Sequence, residues 1–149
     1  MITTCDECGF TYAPDEPGDK RLHNNFHRKM EAATKHFNCR IMPLREREEL
    51  KLSQDSGHAL AASRRPLQER VEGALQVCRA WFSRSVEGAI NSNWNWKKHP
   101  HFHKYVAMLL SHKPSFPSDV VEYLRKDYGT IDGEIPNGSS DWEPKTLLS

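Results

Sequence analysis

Residues 5–27 read CDECGFTYAPDEPGDKRLHNNFH, a C-x2-C pair separated by fourteen residues from an H-x3-H pair. Zn²⁺ takes four N or S ligands in a tetrahedron; a tight Cys-x-x-Cys turn supplies two thiolates, and two histidines four apart on a helix project from one face. Cys5, Cys8, His23 and His27 therefore make a complete ligand set for one Zn²⁺. With all four positions taken by protein, no vacancy is left for a substrate water, so the expected role of the metal is structural rather than catalytic. Gly9 lets the backbone turn tightly after the second thiolate, and Tyr12 is placed to pack under the helix against Phe26. A redox Cys-x-x-Cys is the rival reading, but that motif normally opens a helix after a strand, and no such pattern surrounds Cys5.

Outward from this stretch the chain reads as helix. Residues 1–18 are turn-rich, with Gly9, Pro14, Pro17 and Gly18, so a short knuckle or hairpin is expected there. Asp19 is the expected N-cap of an amphipathic helix carrying Leu22, Phe26, Met30, Ala33 and Phe37, ended by Asn38 and Pro43. A charged stretch from Leu44 to Ala62 predicts a second, largely solvated helix. Pro66 opens the strongest core helix, with Leu67, Val71, Ala74, Leu75, Cys78, Phe82, Val86 and Ile90 at helical spacing. Pro100 restarts a helix through Phe102, Tyr105, Val106, Leu109 and Leu110; Ser118 is expected to cap the last one, which holds Val120, Val121, Leu124 and Tyr128 and stops at Gly129. The expected class is mainly α: a zinc finger with an extended basic helix at 1–38, a small α-helical bundle at 39–130 and an irregular acidic tail at 131–149.

A length of 149 residues suits one domain, or one with a small metal-stapled appendage. The hydrophobic share of 37% is below the globular average, but four Trp, four Tyr and six Phe supply bulk for a modest core. No run approaches the length of a membrane span, and the N-terminus lacks the layout of a signal peptide, so an intracellular, cytoplasmic protein is expected, with nucleoid or nuclear association open to it. Cys39 and Cys78 are isolated and read as small hydrophobes. Net charge is +1, but unevenly spread: Lys20 to Arg47 holds eight Lys or Arg against two Glu, and Asp127 to Glu143 holds five acids and no Lys or Arg.

The pattern Cys5-Asp6-Glu7-Cys8-Gly9-Phe10-Thr11-Tyr12, then Pro17, Asp19, His23 and His27, resembles the zinc finger of the cohesin acetyltransferases, which establish sister-chromatid cohesion. The resemblance covers residues 5–28, under a fifth of the chain, and implies the same four ligands on a short hairpin plus helix. In that family an acetyltransferase domain follows, with a Gly-rich pyrophosphate loop; the eight glycines here are scattered and form no such loop. Acetyl transfer is not implied, and no paired carboxylates or Ser/His/Asp set points to another enzyme.

Two further groups fit a partner. Arg28, Lys29, Lys35 and Arg40 continue the finger helix as a basic region, suited to sequence-blind phosphate contact with DNA or RNA. Trp94, Trp96, Lys97 and Lys98 combine rings and cations, which suits base stacking and phosphate neutralisation. Plainer readings stand beside both: a solvated helix face for the first, and tryptophans plugging the bundle for the second. His99, His101 and His103, interrupted by Pro100, read as incidental rather than a second metal site. The expected function is a zinc-binding, non-enzymatic module that holds nucleic acid or a nucleic-acid-associated protein. The alternative is a protein-interaction or structural role in which zinc only stabilises the N-terminus, and a weaker third reading is an enzyme whose site is formed by side chains distant in sequence.

Overall fold

The structure is a computed structural model that describes residues 1–43, 46–47, 57–92, 95–112 and 114–132. The chain is mostly helical, with a two-stranded antiparallel hairpin at its N-terminus, as the sequence pattern predicts. Strands β1 (Thr3–Thr4) and β2 (Thr11–Tyr12) pair Thr3 with Tyr12 and Thr4 with Thr11. The six residues between them form the knuckle: Cys5 N–H donates to Phe10 O at 2.9 Å and Gly9 N–H to Cys5 O at 2.8 Å, with Gly9 at φ +80°. That left-handed conformation is open to glycine at little cost, which is why the turn can close so tightly there.

Helix α1 runs Pro17–Phe37, three residues earlier than Asp19 as N-cap would allow. Pro17 presets φ for the first turn and has no N–H to leave unpaired, so the helix opens on it with Glu16 as N-cap. Asp19 instead reaches back from the first turn to accept the Ala13 N–H at 2.9 Å, tying the hairpin to the helix. Met30, Ala33 and Phe37 form the buried face, but Leu22, expected on it, is 59% exposed. Asn38 ends the helix in the left-handed conformation, φ 48°.

Helix α2 (Leu67–Asn91) is the centre of the fold. The apolar series from Val71 to Ile90 is buried as its spacing predicts, and Val77, Trp81 and Ala89 are buried as well, because α2 has neighbours on several sides. A 3₁₀ turn (Trp96–Lys98) leads into α3 (Phe102–Leu110), whose residues 105–110 are all buried, and α4 (Ser118–Tyr128) covers both helices. Pro117 rather than Ser118 is the N-cap of α4, and Ser118 makes no capping hydrogen bond. Asp119 pins α4 to α2 through both guanidinium nitrogens of Arg70, at 3.0 and 2.6 Å. Arg125 satisfies the Leu110 carbonyl at the end of α3 at 2.9 Å.

The helix expected from Leu44 to Ala62 lies largely outside the described residues; within it, 57–61 are helical and cross α2 with Gly57 against Gly73. Residues 133–149 of the acidic tail also lie outside the described residues. The core runs from the finger into the bundle without interruption: Cys8, Met30, Ala33, Phe37 and Ile41 belong to one apolar cluster with the buried faces of α2, α3 and α4. Phe37 meets Phe82 edge to face at 5.5 Å, and Met42 N–H donates to Ser83 Oγ at 2.9 Å, fastening the segment after α1 onto α2. Arg47 and Glu87 form an almost fully buried ion pair beside it. No helix among the described residues is long and apolar enough to cross a membrane.

Candidate metal centre

The knuckle delivers Cys5 and Cys8, and the first half of α1 delivers His23 and His27. Their donor atoms all lie within 4.8 Å of one another. A tetrahedral zinc with bonds of about 2.3 Å to sulfur and about 2.0 Å to nitrogen sets its donors roughly 3.3 to 3.8 Å apart. Cys5 Sγ lies 3.6 Å from His27 Nδ1, within that range. His23 Nε2 is buried and has no hydrogen-bond partner among the described residues, an arrangement that costs free energy unless something accepts that lone pair. The residues present therefore fit a bound zinc ion.

The shell around the donors is built from the same short sequence. Tyr12 stacks flat on His23, rings 4.1 Å apart and 7° from parallel, rather than on Phe26 as its place in the sequence suggests. Phe10 takes the Phe26 position at 5.4 Å. The register explains the exchange: Tyr12 is paired in the hairpin opposite Thr3, which brings its ring over the first turns of α1, while Phe10 lies in the loop facing the helix one turn on. Glu31 Oε1 accepts from His27 Nε2 at 2.6 Å, and Glu7 Oε2 lies 3.2 Å from the same nitrogen. Neither carboxylate was among the residues singled out in the sequence, although Glu31 stands four residues after His27, the spacing at which helical side chains meet.

The two thiols differ. Burial works against the Cys5 thiolate, but the N–H groups of Cys8 and Glu7 and the His23 and His27 imidazoles outweigh it, lowering Cys5 to about 6. Cys8, 1% exposed, is raised to about 11 by burial first and then by its neighbour Cys5. One thiolate thus forms readily and the second is resisted until a cation lies between them, which is the behaviour of a site completed by a metal. His27 is held more basic than usual: burial opposes this, and the contacts with Cys5 and Glu31 prevail.

A half-buried Cys2His2 cluster on a hairpin and a helix defines a zinc-finger type of metal site. Residues 1–29 match the family described as the zinc-finger of acetyl-transferase ESCO, the finger type that the Cys, Gly, Tyr, Asp and His pattern resembles. No curated protein and no solved structure matches the chain.

The remaining sequence-predicted residues separate into two groups. Arg28, Lys29 and Lys35 are exposed on the side of α1 away from its buried face. Trp96 packs beside them, edge-on to His36 at 5.7 Å, with Lys97 Nζ 5.8 Å above its ring and Lys98 exposed. Arg40 is different: Glu46 engages its guanidinium at 2.7 Å, so its charge is already answered. Trp94 lies outside the described residues. His99, His101 and His103 point to three different neighbours. His99 is buried with Nε2 2.7 Å from Ser85 Oγ, His101 stacks on His36, and His103 lies against Tyr128, so among the described residues they form no metal cluster. Cys78 is a fully buried thiol pushed up to about 12 by desolvation, which suits a packing role.

Proposed function

We propose that this protein is a zinc-stapled helical module that holds nucleic acid on the exposed face of α1. In this reading Cys5, Cys8, His23 and His27 bind one Zn²⁺, which fixes the hairpin against the start of α1 and sets the direction of that helix. The observation that carries the reading is the placement of charge. Arg28 and Lys35 are seven residues apart, hence on one side of the helix, with Lys29 beside them and Lys97 and Lys98 brought alongside by the 3₁₀ turn. A helix face whose cations have no acidic partner among the described residues suits phosphates, and the affinity it supplies is salt-dependent.

Replacing Arg28 and Lys29 together by Glu tests this. Zinc content should be unchanged, binding to DNA or RNA should be lost at moderate salt, and neutral replacements should flatten the salt dependence by about two units of slope. Binding that ignores both the substitutions and salt sinks the proposal. The continuity of Cys8 with the bundle core supports a second reading, in which zinc serves stability alone and the α1 face docks a protein. Retention of a protein partner by the Glu variants, with no nucleic-acid binding by the parent, would favour it.

A further inference from the structure

Between α1 and the 3₁₀ turn lies a surface depression lined by Asn25, Arg28, Lys29, Ala32 and Trp96. We infer that it receives one unstacked base of a single-stranded nucleic acid, with Trp96 as the stacking platform; this rests on the reading of α1 as a nucleic-acid face. The ring of Trp96 is half-buried and held from behind, by His36 at 5.7 Å and 87° and by Phe37 at 6.2 Å and 54°. Both contacts are edge-on or tilted, and among the described residues no ring stacks parallel on Trp96. His36 is itself braced by His101 at 5.2 Å, so the platform is fixed before any ligand arrives. Lys97 Nζ lies over the ring at 5.8 Å, on a flexible stem that can swing to a phosphate.

The walls complete the chemistry. Ala32 leaves room on the α1 side, Arg28 and Lys29 flank the opening with two cations, and Asn25 offers an amide that both donates and accepts at a base edge. Among the described residues no acidic side chain lines the depression, so the charge of Arg28 and Lys29 there favours a polyanion. A base still stacked inside a duplex cannot enter a recess behind a helix face; a base of a single strand can turn into it, and aromatic stacking accepts any base. Duplex would touch only the cations on the rim.

The zinc-loaded full chain decides the matter by fluorescence anisotropy with labelled single-stranded DNA, single-stranded RNA and duplex DNA of one sequence. Single strands should bind about tenfold tighter than duplex, and Trp96→Leu should lose that margin while Trp96→Phe keeps most of it. Because Trp96 also touches the core, Ala32→Leu is the cleaner variant: it fills the recess from an exposed helical position, and should lower single-strand affinity about tenfold with duplex affinity unchanged. The DNA and RNA arms show which backbone is preferred. Equal binding of single strand and duplex, indifferent to Ala32→Leu yet abolished by Arg28→Glu with Lys29→Glu, overturns the base recess and leaves the α1 face standing. No binding to any of the three probes removes both, and displacement by an acidic peptide alone assigns the recess to a protein.

Discussion

Glu31 Oε1 accepts a hydrogen bond from His27 Nε2 over 2.6 Å, one helical turn along α1. The bond fixes the ring: with Nε2 engaged by a carboxylate, Nδ1 is the nitrogen turned to Cys5 Sγ at 3.6 Å. A carboxylate behind a ligating imidazole sets its tautomer and makes it a stronger donor, and loss of such a partner typically costs about 10–100-fold in metal affinity. Glu31→Ala is therefore expected to weaken zinc binding at least about tenfold in competition against a chelator, with helix content preserved. Glu7 stands 3.2 Å from the same nitrogen and can partly take over, so the variant lacking both carboxylates should be weaker still. Unchanged affinity in the double variant would show that neither carboxylate orients His27.

Removal of zinc should act on the finger first. The hairpin has four paired residues, and beyond the cluster Phe10, Tyr12 and Asp19 are what tie it to α1. Structural zinc sites contribute on the order of 10 kcal/mol to the units they fold, far more than a few ring contacts can replace. Chelation, or Cys8→Ser, should accelerate amide exchange from residue 3 through the first turns of α1 and lower the melting temperature. The amides of α2 and α3, whose buried faces pack mainly on each other and on α4, at the far side of the shared core from the cluster, should stay protected. Uniform loss of protection across all helices would mean that the finger and bundle fold as one cooperative unit.

The Cys5, Cys8, His23 and His27 cluster is legible because four residues of two types at two spacings carry the whole of its chemistry, and the helices because apolar residues such as Val71, Ala74, Leu75 and Cys78 repeat with the helical period. What escaped depends on contacts between segments. Leu22 has helical spacing yet is exposed, since no described residue covers the first turns of α1 on that side. Tyr12 and Phe10 both follow Cys8 closely, and only the hairpin register decides which one stacks flat on His23. The charge of Arg40 reads as free in sequence and is paired with Glu46 in space. His99 lies in a run of polar and basic residues that reads as loop surface, but the turn at Trp96–Lys98 drives it inward to Ser85.

The Gly57–Gly73 crossing gives a prediction with an internal control. A Cβ on Gly73 would stand 2.8 Å from Gly57 O and 3.0 Å from Leu60 Cβ, and a Cβ on Gly57 would stand 2.8 Å from Val77 Cγ2. Alanine at position 73 gains up to about 1 kcal/mol from helix propensity. Pushing two backbones apart costs about 1–3 kcal/mol, and here the obstacle is a carbonyl that cannot rotate away. Gly73→Ala should destabilise in urea unfolding. Gly18→Ala, in the first turn of α1 with nothing within 4 Å of the added carbon, should stabilise by about 0.5–1 kcal/mol. Stabilisation by both substitutions would mean that residues 57–61 do not lie against α2 in solution.

His99 makes stability fall with acid in a defined window. The ring is 2% exposed among Phe37, Phe82 and Tyr105, with Nε2 at Ser85 Oγ and Nδ1 donating to the Pro100 carbonyl at 2.8 Å. Desolvation is the main reason its pKa drops to about 4, from 6.5 in an exposed histidine, with His101 adding a smaller push downward and the Pro100 hydrogen bond resisting. The folded protein thus prefers the neutral ring, while the unfolded chain takes up a proton below pH 6.5. The contribution is fully present above that value, and it is lost as pH falls from about 6.5 to about 4. At about 1.4 kcal/mol per pH unit, the loss approaches 3 kcal/mol at the acid end. Release of a zinc ion from the Cys/His cluster would also destabilise the protein on acidification, so the test is the difference between the parent and His99→Gln, measured by denaturant unfolding at each pH. The gap in favour of the parent should be widest near neutrality and should narrow steadily toward pH 4. A gap independent of pH would show that His99 does not titrate with unfolding, and that water reaches the Ser85 pocket.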